Sequence, residues 1–353
     1  MTWNINTTEL LKTPRPEHPY FSKAYDFMES WQQGQMEFTL QTSGSTGTPK
    51  AIQVTRKQLT ASALMTGKAL QIGKGTRALV CLNASYIAGL MMLVRGMELD
   101  WELTIVEPSS NPMIGLSHDV HFDFVAMVPM QLTACLEDSR TRYLVNSLGK
   151  ILLGGAPVGV SLQKGISDLQ IPVYQSYGMT ETVSHVALKK LNGRDVTGRY
   201  FFLPGIQYGT DARGCLFVSG EVTNELVVQT NDLVEISGNT FEWIGRADNV
   251  INSGGIKIIL DIVDALVAQV FHDLHLVNAF FTWYQPDEKL GQKLVLIVEG
   301  SAELVVETDI LAEIRAQVSA YETPKHVYFV DQFTKTATDK VDKRETVQQL
   351  FGS

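Results

Sequence analysis

The sequence predicts an α/β protein: a large N-terminal domain of layered sheets and helices carrying a small β unit, then a smaller α+β domain. Three observations predict it. Short apolar, β-branched runs alternate with helix-length segments over most of the chain. From about Gly209 the texture changes to closely spaced runs separated by Gly, Asn and Asp. After Gly245-Arg246-Ala247-Asp248 a third pattern begins, with an apolar helix leading into further strands.

Met36 to Gln41 and Ala51 to Val54 read as strands on either side of a polar segment, and Lys57 to Leu70 and Ile87 to Met97 read as helices. Arg77 to Leu82, Glu102 to Val106, Phe124 to Val128 and Ile151 to Leu153 are short apolar runs between such helices, which implies buried, largely parallel strands. Pro172 to Gln175 is a further buried strand ending at Tyr177-Gly178. Gly214 to Ser219, Glu225 to Gln229, Leu233 to Ile236 and Thr240 to Ile244 suggest a small antiparallel unit spanning about 209–246, with a turn at Thr230-Asn231-Asp232. Beyond it come a helix (Ile262 to Val270), strands near Leu276 to Tyr284 and Leu294 to Glu299, a second helix (Glu303 to Val318) and a strand at His326 to Val330. The expected domains are therefore 1–246 and 247–353, with a hinge at Asp248 where the texture changes. No repeat or low-complexity tract interrupts them.

A chain of 353 residues can bury substantial cores, and with 19% charged and 44% apolar residues disorder should not dominate. The charge balance, 29 − 38 = −9, argues against nucleic acid as a partner, because that binding draws on clustered Lys and Arg. Cys81, Cys135 and Cys215 stand far apart, offering neither a disulfide framework nor a zinc cluster. The N-terminus lacks the basic and apolar regions of a signal peptide, and the most apolar stretch, Ile87 to Val94, is too short to span a bilayer. A cytoplasmic location without membrane insertion is expected.

The most informative segment is Thr42-Ser43-Gly44-Ser45-Thr46-Gly47-Thr48-Pro49-Lys50. Its glycines let the backbone approach a ligand, and N–H groups, hydroxyls and a lysine together suit a polyphosphate. It is not a Walker A loop: Pro49 sits where the second glycine belongs, and Ala51 follows the lysine where Ser or Thr is needed. A plain Ser/Thr/Gly surface loop is the alternative. Tyr177-Gly178-Met179-Thr180-Glu181-Thr182, at a strand's carboxyl end, offers a ring to stack on a base, hydroxyls for phosphate and a carboxylate for Mg²⁺; alternatively Thr180 is simply a helix cap. Asp232 suits ribose hydroxyls or a structural turn. Gly245 to Ile258, with Arg246 and Asp248, suits a hinge, and the basic cluster around Lys340 is either functional or a solvated helix face.

Together and in this order, these segments resemble the adenylate-forming superfamily: acyl-CoA and aryl-CoA synthetases, luciferase and nonribosomal adenylation domains. The resemblance implies a phosphate loop at Thr42, Ser43, Gly44, Ser45, Thr46, Gly47 and Lys50, and nucleotide contacts at Tyr177, Gly178, Asp232 and Arg246. It also implies catalytic roles for Thr180, Glu181 and Lys340, with Glu181 the Mg²⁺ ligand. Asp248 becomes the hinge, and Gly254 and Gly255 border the CoA path. Leu82-Asn83-Ala84-Ser85-Tyr86-Ile87-Ala88-Gly89, with Arg95 beyond, is similar to a segment of the o-succinylbenzoate–CoA ligases of menaquinone synthesis. Glu225 to Ile236, Trp243 to Ile258 and Val125 to Gln131 are similar to their short form. This implies an acid-binding site including Tyr86, Gly89, Arg95, Gly154 and His185. Three residues depart from the pattern: Tyr86 replaces a histidine, Asn231 a glycine and Asp339 a glycine. Only 41 residues precede Thr42, so the usual N-terminal subdomain is expected to be reduced or missing.

The expected reaction has two steps. A carboxylate attacks the α-phosphate of ATP, releasing pyrophosphate, and the CoA thiol then displaces AMP. The partners expected are ATP, an aromatic carboxylic acid and CoA, with self-association left open. Rival readings are another aryl- or acyl-acid ligase, an enzyme loading a carrier protein, and a non-catalytic nucleotide-binding regulator. The pairs His118/His121 and His272/His275 have helix-face spacing but no accompanying Cys or H-E-x-x-H pattern, so they read as ordinary histidines. His185 reads either as a substrate contact or as a helix-borne histidine satisfied by a neighbour, and Arg95 either as a substrate contact or as a surface residue at a helix C-terminus. Met91 and Met92 read as core and Cys81 as buried and inert. If Lys340 acts only in the first step, Lys340→Ala should nearly abolish pyrophosphate release while sparing thioester formation from preformed acyl-adenylate. Equal loss of both half-reactions would remove that role.

Overall fold

The computed structural model describes residues 1–41, 51–301, 307–336 and 341–352. Thr42 to Lys50 and Lys340 lie outside the described residues. The centre is a run of five parallel strands in the order Glu102–Val106, Arg77–Val80, Phe124–Met127, Ile151–Leu153 and Val173–Gly178. Phe124–Met127 and Ile151–Leu153 are buried throughout and Arg77–Val80 is buried after Arg77, which is why these read as apolar runs, whereas Val173–Gly178 is mostly half-buried. Ala78 and Val80 point to one core, with the helices Pro19–Gln32, Arg56–Leu70 and Ile87–Leu99. Leu79 points to the other, with Pro129–Glu137, Arg142–Asn146 and Val160–Ser167. This alternation is the period-two geometry of a strand.

The antiparallel unit expected from about residue 209 is joined edge to edge with this sheet. Val173–Gly178 pairs with His185–Lys190, and Tyr200–Phe202, Thr240–Arg246, Val228–Ser237, Cys215–Ser219 and Gln207–Thr210 follow in that order. On the opposite edge Thr2–Asn6 pairs antiparallel with Glu102–Val106. The two strands expected around Thr230-Asn231-Asp232 are one strand, Val228–Ser237. Asp232 is therefore not at a turn. On the Cys215–Ser219 side the three residues form a bulge, because pairing steps from Phe217↔Gln229 to Cys215↔Leu233 across them, while on the Thr240–Arg246 side Asp232 pairs with Arg246 before a register shift at Leu233/Val234. His185 likewise stands at the start of a strand, not on a helix. His118 and His121 lie outside helices and share no helical face.

The residues after Asn249 build a second sheet with its own core. Ile256–Ile259, Val250–Ser253, Gly291–Glu299 and Phe280–Asp287 are antiparallel neighbours, and Val327–Val330 adds parallel to Gly291–Glu299. The helices Leu260–Asp273 and Glu307–Gln317 pack over one face. Lys343–Phe351 covers another apolar cluster around Phe281, Ile297 and Phe333. Among the described residues no helix is long and apolar enough to cross a membrane.

Two helices position the candidate site. Arg56–Leu70 begins at a capping box between Thr55 and Gln58 and ends at Gln71 in the left-handed region. Ile87–Leu99 is buried without interruption from Gly89 to Gly96, the signature of an interior helix rather than an amphipathic one. Gly89 rests on the backbone of Leu82 and Asn83, where an added Cβ would overlap the Asn83 carbonyl and stand 2.6 Å from the Leu82 oxygen. Gly89→Ala should therefore destabilise the fold by about 1–3 kcal/mol, the usual cost of overpacking against backbone. Urea unfolding would measure it, and an unchanged midpoint would show that the helix shifts freely.

Candidate active site

Several sequence-predicted residues follow the carboxyl ends of the parallel strands, where open α/β sheets bind ligands. Tyr86 and Gly89 follow Arg77–Val80, Gly154 follows Ile151–Leu153, and Tyr177 and Gly178 end Val173–Gly178. The segment Thr42 to Lys50 connects the strands Glu37–Gln41 and Ala51–Thr55, whose last and first residues pair as Gln41↔Ala51.

Tyr177, Asp232, Arg246 and Asp248 form one cluster. The Tyr177 hydroxyl donates to Asp232 Oδ2 at 2.5 Å, and the Trp243 indole N–H donates to Oδ1 at 3.2 Å. Arg246 Nη1 lies 3.6 Å from the same Oδ1. Asp232 and Arg246 face each other across adjacent strands, so sheet register alone brings them together. Arg246 also grips Asp248 through two bonds of 2.9 and 2.7 Å, and this guanidinium holds the Asp248 carboxyl below its usual range. Burial, then the charge of Asp232, pushes the Tyr177 phenol well above its ordinary range, so it stays a hydrogen-bond donor. Asp261, in the first turn of Leu260–Asp273, accepts from the Arg246 backbone N–H at 2.9 Å and from the Asn249 amide at 3.0 Å.

Beyond Tyr177 the chain reverses sharply. Gly178 is packed so closely on Ser184 and His185 that a Cβ would lie 2.5 Å from the His185 Cα. Thr180 to Thr182 form a single 3-10 turn, and buried Thr182 ties it shut by accepting from the Met179 N–H and donating to backbone oxygen. Thr180 does not cap a helix; Met179 holds that position. Val183 has φ of +64°, an uncommon conformation for a β-branched residue and a mark of local strain. Glu181 projects from this turn, exposed and without a hydrogen bond or ion pair among the described residues.

The returning strand meets a second cluster. Arg95 is 2% exposed, so the surface reading fails. Its Nη2 donates to Ser184 Oγ at 3.0 Å and its Nε to Thr66 Oγ1 at 3.3 Å, while Nη1 lies 3.9 Å from Met92 Sδ. His185 bridges the two hydroxyls, with Nε2 3.2 Å from Thr66 Oγ1 and Nδ1 3.2 Å from Ser184 Oγ. Among the described residues no carboxylate pairs with Arg95. Burial lowers its pKa to about 10, which still leaves it charged at neutral pH. Burial, then the charge of Arg95, holds His185 well below its ordinary range.

Other expected residues stand apart. Tyr86 is 49% exposed at the N-cap of its helix. Gly254 and Gly255 form the two-residue turn between Val250–Ser253 and Ile256–Ile259, both at positive φ as a tight hairpin requires. The neighbours of Gly254 are Leu290 and Tyr321, not the Asp232 cluster. Cys81 is buried and its thiol pushed upward by burial, as befits an inert core residue, and Met91 and Met92 are fully buried. Among the described residues no three or more His, Cys, Asp and Glu side chains group as a metal site. Thr66, Ser184, Trp243 and Asp261 escaped the sequence reading; only the all-apolar surroundings of Arg95 hinted that this arginine was interior.

The AMP-binding enzyme family matches residues 9–206. Among curated relatives, the 2-succinylbenzoate–CoA ligase of Bacillus cytotoxicus is 26% identical over 337 residues, covering 88% of this chain and 69% of the relative. The corresponding ligase of Lactococcus lactis is 24% identical, with 87% and 69% covered. Among solved structures, an acyl-CoA synthetase (AMP-forming)/AMP-acid ligase II-like protein from Dyadobacter fermentans is 64% identical, covers 99% of this chain and 100% of its own, and superposes with a TM-score of 0.71. The o-succinylbenzoate CoA synthetase (MenE) of Bacillus subtilis, solved with its acyl-adenylate intermediate, shares the fold with a TM-score of 0.69 at 21% identity, covering 87% and 68% of the two chains. With the family matched over more than half its length and a 64% identical relative of equal extent, this chain belongs to the AMP-binding enzymes.

Proposed function

We propose that this adenylate-forming CoA ligase activates o-succinylbenzoate, converting it to the acyl-adenylate and then to the CoA thioester. The carrying observation is Arg95: a buried guanidinium with hydroxyl partners and no carboxylate among the described residues. A buried charge without a counter-ion is costly, and an arriving carboxylate would offset that cost. o-Succinylbenzoate has two carboxylates. The aliphatic one is activated, so the aromatic one needs a cationic partner, and a guanidinium suits it better than a point charge. The names of the curated relatives support the same acid.

In this reading Asp232 and Arg246 take the ribose and Tyr177 borders the base. The loop Thr42 to Lys50 grips the phosphates, and Lys340 neutralises charge between carboxylate and α-phosphate. The barrier to joining two anions is chiefly electrostatic, so these donors matter most. Exposed Glu181 fits Mg²⁺, an ion that usually binds through one or two carboxylates plus phosphate oxygens and water. The ion would supply further charge neutralisation at the phosphates. Residues 1–246 would form the nucleotide-binding body, and 247–353 a second body turning about Asp248 to admit CoA.

Arg95→Ala should raise KM for o-succinylbenzoate by roughly ten- to a hundred-and-fifty-fold, the equivalent of about 1.5–3 kcal/mol for a lost charged partner. KM for ATP should change far less. Steady-state pyrophosphate release, with each substrate varied in turn, reads both constants. An unchanged KM for the acid would remove Arg95 from the site and weaken this choice of substrate.

A further inference from the structure

Arg95 and the three polar side chains beside it, Thr66, Ser184 and His185, form a closed ring whose protons can be assigned one by one. The Thr66 hydroxyl donates to the Ser62 carbonyl at 2.9 Å. Its two lone pairs then remain for Arg95 Nε–H and for the proton on His185 Nε2. With Nε2 protonated, Nδ1 is an acceptor, and it takes the Ser184 hydroxyl proton. The Ser184 oxygen is thereby turned to receive Arg95 Nη2–H. Only the neutral, Nε2-protonated ring leaves each hydroxyl with its proton placed. A protonated ring would put a second donor on Ser184, displace that hydroxyl's own proton and stand a cation beside a guanidinium.

We infer that His185 is a positioning residue for Arg95: its neutral ring presets Thr66 and Ser184 as acceptors, aims the guanidinium, and so sets the preference for a carboxylic acid with a second, aromatic carboxylate. This rests on the acid-binding role proposed for Arg95. A guanidinium has five N–H groups; among the described residues three are engaged, by Thr66, Ser184 and, weakly, Met92, leaving one on each terminal nitrogen. Two such N–H groups can hold a carboxylate through both oxygens. His185 does not touch the substrate in this arrangement; it acts through the hydroxyls. The burial and the neighbouring charge that disfavour ring protonation act in the same direction.

The test compares o-succinylbenzoate with 4-oxo-4-phenylbutanoate, the same acid without its ring carboxylate. In the full-length enzyme, the ratio of kcat/KM for the two acids should fall about three- to tenfold in His185→Leu, the effect of about one hydrogen bond. His185→Gln, which retains a donor towards Thr66, should recover part of the ratio. If the leucine variant does not fold, the glutamine variant carries the comparison, with a smaller fall expected. An unchanged ratio, or an equal loss with both acids and in KM for ATP, would overturn the inference. A second readout does not depend on the acid. Nitrogen-15 NMR of the histidine ring should show His185 neutral and Nε2-protonated from pH 8 to pH 6, and the Arg95 Nε–H should exchange faster with water in either variant. An Nδ1-protonated or charged ring, or unchanged exchange, would overturn the positioning role. If the wild type adenylates neither acid, the substrate proposed above fails, and the NMR result alone decides whether His185 positions Arg95.

Discussion

The constraint on which the site depends is the close approach of Gly178 to the backbone of Ser184 and His185. With no side chain at Gly178, the chain leaves the last parallel strand, makes one 3-10 turn and returns antiparallel at His185, which pairs back with Gly178. One end of this reversal carries Tyr177 into the Asp232 cluster, and the other carries Ser184 and His185 to Arg95. Strain at Val183 is held in place by Thr182, whose hydroxyl closes the turn from inside. A short hairpin thus ties two chemically different clusters to one rigid sheet.

The two clusters have opposite electrostatic designs. In the first, the two oxygens of Asp232 are shared among Tyr177, Trp243 and Arg246, and Arg246 is shared again with Asp248. Carboxylates outnumber the guanidinium there, and each has a donor. In the second, a buried guanidinium meets, among the described residues, only two hydroxyls and a thioether, and the His185 ring joins those two hydroxyls. Neutral acceptors hold a cation in place without cancelling its charge, so its field remains available to an incoming anion. In an acidic chain, that local excess of positive charge is the more telling.

Asp261 extends the first cluster across the change of fold. Its carboxylate holds the Arg246 N–H and the Asn249 amide, while Gly245 leaves room for Ile259 and Asp261 to approach within 2.5 and 3.0 Å of where a Cβ would stand. The last strand of the large sheet and the first helix of the small one are therefore joined by charged hydrogen bonds as well as by the chain. Such contacts are directional, so they specify one arrangement more sharply than apolar packing of equal area.

By itself the sequence determined the alternation of buried strands and helices, the shift to antiparallel texture and the separate α+β pattern after Asp248. Each is a matter of local periodicity, which the chain states residue by residue. The glycine-, hydroxyl- and charge-bearing segments were legible for the same reason, as was their family resemblance. What only the tertiary structure decided depended on partners distant in the chain. Thr230-Asn231-Asp232 has the composition of a turn, yet it is a bulge within one continuous strand, and pairing with the neighbouring strand sets Asp232 opposite Arg246. Arg95 carries a surface residue's charge, yet its helix is buried without a break from Gly89 to Gly96. Thr66, 29 residues before Arg95, and Ser184, 89 residues after it, announce nothing locally, because a hydroxyl becomes a partner only when folding removes the water that would otherwise serve. His185 reaches Thr66 because strand pairing after Gly178 returns it beside the sheet, a placement its sequence neighbours do not announce.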